Sequence, residues 1–354
     1  MSTTQLLLST SAAGDPTRGL PQPGELATAG ALAAAGPTLR LRPLTEAELA
    51  PAVALLEAAL SWDRIAVVAA EKLFGGNGRR SGQALGAFTA AGELVGVLVQ
   101  AGRFVKLLAV LPQAQRRGIG TALLAAARAQ LRAGATDATS AAPPRLRIGD
   151  HPGNYLSPGV DERYQAAHAF FRARGLGEVG RCLNLRAPVR ANPLCTPERQ
   201  RSLHEAASAH GYTLRRAQAE DVADLLAMIE AQFSPVWAYE VARALGPELG
   251  GAAAAHTPAL PEGAAVHLAL SPAGAPVAFA AHDGNNRGLG WFGPMGTLPA
   301  HRGRGLGEAL VLDCLADVSE RPDGGVIAWV GPEAFYARTC GAVPDRRFVV
   351  YEEP

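Results

Sequence analysis

The order of elements along the chain predicts a mixed α/β (α+β) protein built from two tandem copies of one plan. Three observations carry this reading. A strand-then-amphipathic-helix opening occurs twice, three strand candidates follow in each half, and each trio runs into a glycine-rich turn that opens a helix. At 354 residues the chain has length for about two domains of ~150 residues, each able to bury a core without disulfide or metal staples.

Residues 1–37 are rich in Ser, Thr, Ala, Gly and Pro and lack apolar periodicity, so they read as a disordered tail with no signal-peptide pattern. The first domain is expected over 38–187. TLRLRP from Thr38 is a strand, EAELAPAVALLEAAL a helix, and a second helix-like stretch covers 62–74. QALGAFTA, ELVGVLVQAG and FVKLLAVLP are the next three strands, with Gly, Pro, Asn and Asp between the runs. Residues 188–211 are a linker containing a helix, for which Thr196 is placed as N-cap, Pro197 suits the first turn and Gly211 suits the end. The second domain, 212–354, repeats the layout with TLRRAQ, AEDVADLLAMIEAQF, a helix at 235–245, and the strands AAVHLALSP, PVAFAAHDG and LGWFGPMGTLP.

The strongest internal match joins LPQAQRRGIGTALL (111–124) to LPAHRGRGLGEALV (298–311). At a constant offset of 187, Leu111/Leu298, Pro112/Pro299, Arg117/Arg304, Gly118/Gly305, Gly120/Gly307, Ala122/Ala309 and Leu123/Leu310 are identical. Each copy continues as a helix, to about Gly134 and Asp323. Then come a strand (RLRIGD; GVIAWVG), a helix with an aromatic pair (AFFRARG; AFYARTCG) and a last strand (NLRAP; RFVVYEE). A strand that stops at Leu-Pro and turns through two glycines into a helix leaves the first helical N–H groups unpaired at the positive end of the helix dipole, an anion site. Arg116 and Arg117, or Arg302 and Arg304, add charge at that mouth, which suits a pyrophosphate. Neither copy continues as GK[ST], and neither follows the first strand of its half with a third glycine, so Walker-type and Rossmann sites are set aside.

With QRRGIG (115–120) and RGRGLG (302–307) opening the central helix after the fourth strand, the chain resembles the GCN5-related N-acetyltransferase (GNAT) family, twice over. The resemblance spans about 38–187 and 212–353. It implies two tandem GNAT-like domains, each a mixed, mostly antiparallel sheet flanked by helices, with the fourth and fifth strands splayed to hold acetyl-CoA as co-substrate. It places the pantetheine arm on Leu108, Ala109 and Val110, and on Met295, Gly296 and Thr297. It places the pyrophosphate on Gln115, Arg116, Arg117, Gly118, Ile119 and Gly120, and on Arg302, Gly303, Arg304, Gly305, Leu306 and Gly307. The family tyrosine that protonates the departing CoA thiolate falls on Tyr336, whereas the first half has Phe171 there. Cys340 stands where the family pattern has glycine, with Gly341 next, so the helix is expected to end one residue late. Catalysis is therefore expected mainly in the C-terminal domain, the N-terminal one being a CoA-binding or degenerate copy. The alternatives are a non-catalytic acyl-CoA-binding or regulatory module, and catalysis in the N-terminal domain through Tyr155 or Tyr164.

The loop GDHPGNYLSPGVDERY (149–164) supplies His151, Tyr155, Asp161, Glu162 and Tyr164 as further candidates. His267, His282, Asp283 and Glu240 are the candidate bases of the second half, with no choice among them. With 33 basic and 32 acidic residues, the charge balance argues against nucleic-acid or anionic-membrane partners. The amine of a small molecule, or of a peptide, is the expected acceptor, and the chain itself is expected to be a monomer or homodimer. Cys182, Cys195, Cys314 and Cys340 show no CxxC or zinc spacing. They read as reduced thiols of a cytoplasmic protein, with no metal. Lys72 and Lys106 are the only lysines; arginine supplies the remaining basic residues.

Overall fold

The structure is a computed structural model that describes residues 39–75, 83–134, 144–250, 265–322 and 324–354. The expected tail at 1–37 and the helix end at Asp323 lie outside these residues. The first repeat comprises β1 (Arg40–Pro43), α1 (Leu49–Ala59), α2 (Ile65–Phe74), β2 (Gln83–Phe88), β3 (Leu94–Ala101), β4 (Phe104–Val110), α3 (Ile119–Ala133), β5 (Arg147–Ile148), β6 (Val160–Asp161), α4 (Gln165–Arg172) and β7 (Gly177–Arg186). After the linker helix α5 (Pro197–Ala209) come β8 (Thr213–Arg216), α6 (Val222–Gln232), α7 (Pro235–Leu245), β9 (Val266–Leu270), β10 (Pro276–His282), β11 (Phe292–Thr297), α8 (Leu306–Asp317), β12 (Val326–Ile327), α9 (Glu333–Cys340) and β13 (Val343–Glu352).

The linker helix forms as its end signals dictate. The Thr196 side chain accepts from the Arg199 amide at 3.2 Å, Pro197 opens the helix, and Gly211 adopts φ +78° beyond its end. In the central strands, adjacent residues face opposite cores: Val97, Val99 and Leu107 pack under α1 and α2, while Leu98 and Val105 pack against α3 and α4. The second half repeats this, with Phe279 and Ala281 under α6 and α7 and Ala278 and Ala280 against α8. Both faces are covered, so these strands read as continuous apolar runs. The second central helix stops at Asp317, short of the expected Asp323. There the Asp317 carboxylate accepts from Arg216 at 2.7 Å and meets His267 at 2.8 Å and His282 at 3.2 Å.

Among the described residues, thirteen strands form one sheet. Twelve run in the order β1-β2-β3-β4-β5-β13-β7-β12-β11-β10-β9-β8, and β6 pairs beside β13. Pairing is antiparallel except for β4–β5 and β11–β12. The two repeats exchange their last strands. β13, at the end of the second repeat, pairs with β5 of the first, and β7 of the first repeat pairs with β12 of the second. The exchanged strands also pair with each other, from Val343↔Arg186 to Glu352↔Gly177. Each completes the other half's core: Val349 and Tyr351 pack with Leu123 and Phe171, and Leu185 packs with Leu310 and Tyr336. A division near residue 187 thus separates the repeats in sequence but not in the sheet, and residues 37–354 form one compact unit.

Candidate functional site

Both glycine turns have the geometry an anion needs. Gly118 and Gly305 are the N-caps of α3 and α8, with φ +81° and +76°. One turn earlier Arg116 takes φ +63° and its counterpart Gly303 takes φ +76°. The first helical amides to find a backbone acceptor are those of Ala122 (to Gly118) and Ala309 (to Gly305). Among the described residues, the amides from Arg116 to Thr121 and from Gly303 to Glu308 donate to no backbone carbonyl. Arg116 and Arg117 are exposed at the first turn. Arg174, from the end of α4, stands 3.7 Å over the Phe170 ring and donates to Thr121 Oγ1 at 3.1 Å.

Strand splay occurs in both halves. β4 and β5 pair only at Phe104↔Arg147 and Val105↔Ile148, after which β4 continues to Val110 paired with β3 but with its β5 side open. β11 and β12 pair only at Phe292↔Ile327. In the first half this opening is part of a cavity of about 830 Å³. Its walls include Leu108, Ala109 and Val110 along β4, and Gln115, Arg116, Gly118, Ile119 and Gly120 at the turn. Arg117 does not line it.

The far end of the cavity is polar, and the second repeat helps to build it. Arg346, on β13, donates to Asp63 Oδ1 at 2.8 Å and to Asp161 Oδ2 at 2.7 Å. Arg163 grips Asp161 with both nitrogens, at 2.9 and 2.7 Å. Tyr164 donates to Asp63 Oδ2 at 2.6 Å and accepts from the Trp62 amide at 3.1 Å. Burial pushes the Asp161 carboxyl up, but its bonds to Arg163 and Arg346 outweigh that and hold it below the usual range. Burial and the Asp63 charge push the Tyr164 phenol above the ordinary tyrosine range. Sequence reasoning found Asp161 and Tyr164 but missed Asp63 and Arg346; Arg346 lies 283 positions from Asp63 and carries no local signal.

The C-terminal turn borders neither this cavity nor the smaller one described below. Phe233, at the end of α6, lies over β11, where a Cβ on Gly296 would come within 2.5 Å of its ring. The linker helix packs along the turn: Leu203 stands 3.8 Å from where a Cβ of Gly305 would be, Arg199 pairs with Glu308, and Gln200 and His204 bind Asp313 at 2.5 and 3.0 Å. Tyr336 is 6% exposed in the core under α8, edge-on to Phe292 and Phe335. Burial and then the thiols of Cys340 and Cys314 push its phenol above the ordinary range. Its helix ends on Gly341 at φ +65°, one residue late as the sequence suggests. Phe171 is buried and stacks on Tyr351 at 5.6 Å.

Of the candidate bases, His267 and His282 meet Asp317, and His282 also binds Asp283 at 2.7 Å. Asp283 in turn holds Arg321 and the amides of Gly288 and Gly290. This network ties α8 to the sheet, away from the large cavity. His151 is buried edge-on to Phe104 at 5.3 Å, and Glu162 accepts from Arg181 at 2.9 Å.

Glu240 lies between the repeats. It lines a second cavity of about 20 Å³ with Glu71, Lys72, Lys106, Arg243 and Asn285. Burial pushes its carboxyl up to about 8, against the pull of Tyr155 and Asn285. Tyr155 comes from the first repeat's loop but faces Glu240 and Trp237, and lies edge-on to Trp329 at 5.9 Å. Burial and Glu240 push its phenol well above the ordinary range.

Sheet order, the paired splayed strands and the repeated N-terminal glycine caps define a tandem GNAT fold. Three solved structures share it. The chain is similar to a GCN5-related glucosamine N-acetyltransferase region in a fungal multi-domain GH3 β-N-acetylglucosaminidase, at 17% identity and TM-score 0.66, covering 90% of this chain and 38% of that one. It is also similar to a tandem GNAT protein from the clavulanic acid biosynthesis pathway, at 18% identity and TM-score 0.59, covering 89% and 98%. A GCN5-related N-acetyltransferase from Sphaerobacter thermophilus matches at 17% identity and TM-score 0.57, covering 89% and 95%. No protein-family model matches the sequence, and no curated protein matches it significantly. No helix among the described residues is long and apolar enough to cross a membrane.

Proposed function

We propose that the chain is an acetyl-CoA-dependent N-acyltransferase acting on a small-molecule amine, with the acyl-CoA held in the N-terminal cavity. The observation that carries this is the cavity of about 830 Å³, within the range of small-molecule sites. It joins the open edge of β4 to the free amides of the first turn. The residues present fit such a ligand. The amides of 116–121 and the neighbouring arginines suit a pyrophosphate, and the splayed strand leaves backbone groups for an amide-bearing arm. At the Asp63–Asp161 end the carboxylates are neutralised by Arg163 and Arg346, so it offers an acceptor polar hydrogen-bonding groups rather than net charge. Transfer requires the acceptor nitrogen to lose a proton and the thiolate to leave. Tyr164 is the phenol on the cavity wall, and its hydroxyl is bound to Asp63. The expectation of catalysis mainly in the C-terminal half therefore becomes the second reading. One observation favours it: Tyr155, Glu240, Trp237 and Trp329 converge on the second half, where the Tyr336 phenol contributes to raising that of Tyr155.

The test combines calorimetric CoA titration with an acceptor screen read by thiol release and product mass. Gly120→Trp should fill the first cavity and abolish one CoA site together with turnover. The Gly305/Gly307 double variant should keep both. The opposite pattern would make the C-terminal half the working site, and unaltered CoA binding in both would remove the acyl-CoA reading.

A further inference from the structure

Both lysines of this arginine-rich chain are buried in the same place, on the seam between the repeats. Lys72, 5% exposed, donates to Glu71 at 2.8 Å and to Asn285 Oδ1 at 2.7 Å. Lys106 is 8% exposed and differs in three ways. It is a β-bulge: Gln100 pairs with Val105 and Val99 with Leu107, so Lys106 is the extra residue on β4. A bulge re-aims a side chain, and here it sits one residue past the last β4–β5 pair, where the strands part. The loop fixes it there, since Asn154 donates to the Lys106 carbonyl at 3.0 Å. Second, Lys106 lines both the large cavity and the small polar one. Third, no hydrogen bond or ion pair holds its ammonium among the described residues. The second repeat bulges at the matching place but uses Gly293, which has no amine.

We propose that Lys106 is an internal acetyl acceptor, acetylated by the acyl-CoA bound in the N-terminal cavity. This rests on the reading of that cavity given above. In the step, the free Lys106 amine attacks the thioester carbonyl carbon. The new N–C amide bond forms as the C–S bond breaks, the bonding pair leaves on the CoA sulfur, and the proton lost from Nζ accounts for the thiol of free CoA. No oxidant, reductant or further reactant is needed. Local charge favours the product. Lys72 and Arg243 are the neighbouring cations, and Glu71 is the ionised carboxylate among them, held below the usual range because Lys72 and Arg243 outweigh its burial. Acetylation removes one buried positive charge from a site with an excess of them. Burial, with Lys72 and Arg243 adding to it, brings the Lys106 ammonium down to about 8, so roughly a tenth is the nucleophilic amine at pH 7, far more than for an exposed lysine at ~10.4. Lys72 is held by its two bonds and does not line the large cavity.

The experiment incubates the full chain with acetyl-CoA and no acceptor, then measures intact mass, maps the modified peptide, and titrates acetyl-CoA binding in parallel. With two lysines in the sequence, the assignment is unambiguous. The expected result is a single acetyl group on Lys106, suppressed at least ~10-fold by excess free CoA competing for the site and absent from Lys106→Arg. Denatured protein should lose the selectivity and label Lys72 as readily. Binding of acetyl-CoA with an unmodified Lys106, or with equal labelling of Lys72 in the folded protein, overturns the acceptor role and leaves the cavity reading intact. Absence of acetyl-CoA binding overturns the cavity reading and the acceptor role together. The decisive readout is on the unaltered protein, so misfolding of a variant does not blunt it.

Discussion

Replacing Arg346 by methionine should damage the N-terminal cavity from the other repeat. Its guanidinium is 9% exposed and bridges Asp63 and Asp161, whose side chains are 7% and 2% exposed. Methionine keeps much of the packing under Phe348 but leaves Asp63 with Tyr164 alone. Breaking a buried pair by removing one partner costs about 3–5 kcal/mol, and Arg163 still covers Asp161, so a loss of about 3 kcal/mol is expected. At roughly 2 °C per kcal/mol for a unit of this size, the melting temperature should fall by about 6 °C. Asp161 is depressed in the folded state. Its contribution is therefore full above the unfolded value near ~4 and fades as pH falls through the lower folded one. The gap between wild type and variant should accordingly narrow below about pH 4. Calorimetric melts from pH 3 to 8, with CoA titration at neutral pH, check both effects, and CoA affinity should drop at least ~10-fold as the cavity wall loosens. A variant within ~1 °C of wild type with unchanged CoA affinity would refute the account of the exchanged strand as part of this site.

Gly120→Val should weaken CoA binding by at least ~10-fold, because even a Cβ there meets the Phe170 ring at 3.1 Å in the cavity wall; equal affinity in a titration would argue against the turn as ligand contact. Tyr336→Phe should leave kcat within about threefold if the first half works, and lower it by ~10²-fold or more if the buried phenol is the acid; steady-state kinetics at matched thermal stability decides. Glu240 is raised from 4.5 to about 8 on folding. It contributes nothing below pH 4.5, where both states are protonated, and increasingly disfavours the fold from there to pH 8, by at most about 5 kcal/mol. Glu240→Gln should therefore melt increasingly above wild type as pH rises from 5 to 8, and parallel curves would contradict that burial penalty. Fragments 38–187 and 212–354, expressed apart, should fail to fold singly, since each lacks the strand that completes its core; two cooperative melts would count against the exchange.

Much of the architecture was legible before any coordinates. The helix of the linker was announced by Thr196, Pro197 and Gly211, and its cap forms on those residues. The two turns were found by their matched Leu-Pro and glycines, and both cap helices through Gly118 and Gly305 in the left-handed conformation. These are local signals: a cap, a turn or an amphipathic run is decided within a few residues of itself. The candidate tyrosine, by contrast, was placed by analogy with a helix position. Its sequence neighbours do not reveal that Phe292 and Cys314 help to enclose it.

What the sequence by itself determined, then, is the repeat, the elements and the glycine-capped form of both turns. Tertiary structure decided that the first turn opens on the large cavity, which Gly118, Ile119 and Gly120 line, and that Phe233 lies over Gly296 in the second half. It also decided which repeat owns each last strand. β7 and β13 are both ten-residue strands whose buried residues lie toward their C-terminal ends. The choice rests on pairs such as Tyr351↔Ile148 and Ile327↔Leu185, brought together across 203 and 142 positions. The same exchange carries Arg346 to Asp63, and the meeting of the two repeats puts both lysines beside Glu71 and Glu240. Strand pairing and charge contacts of this range depend on how whole cores fit, so no window along the chain encodes them.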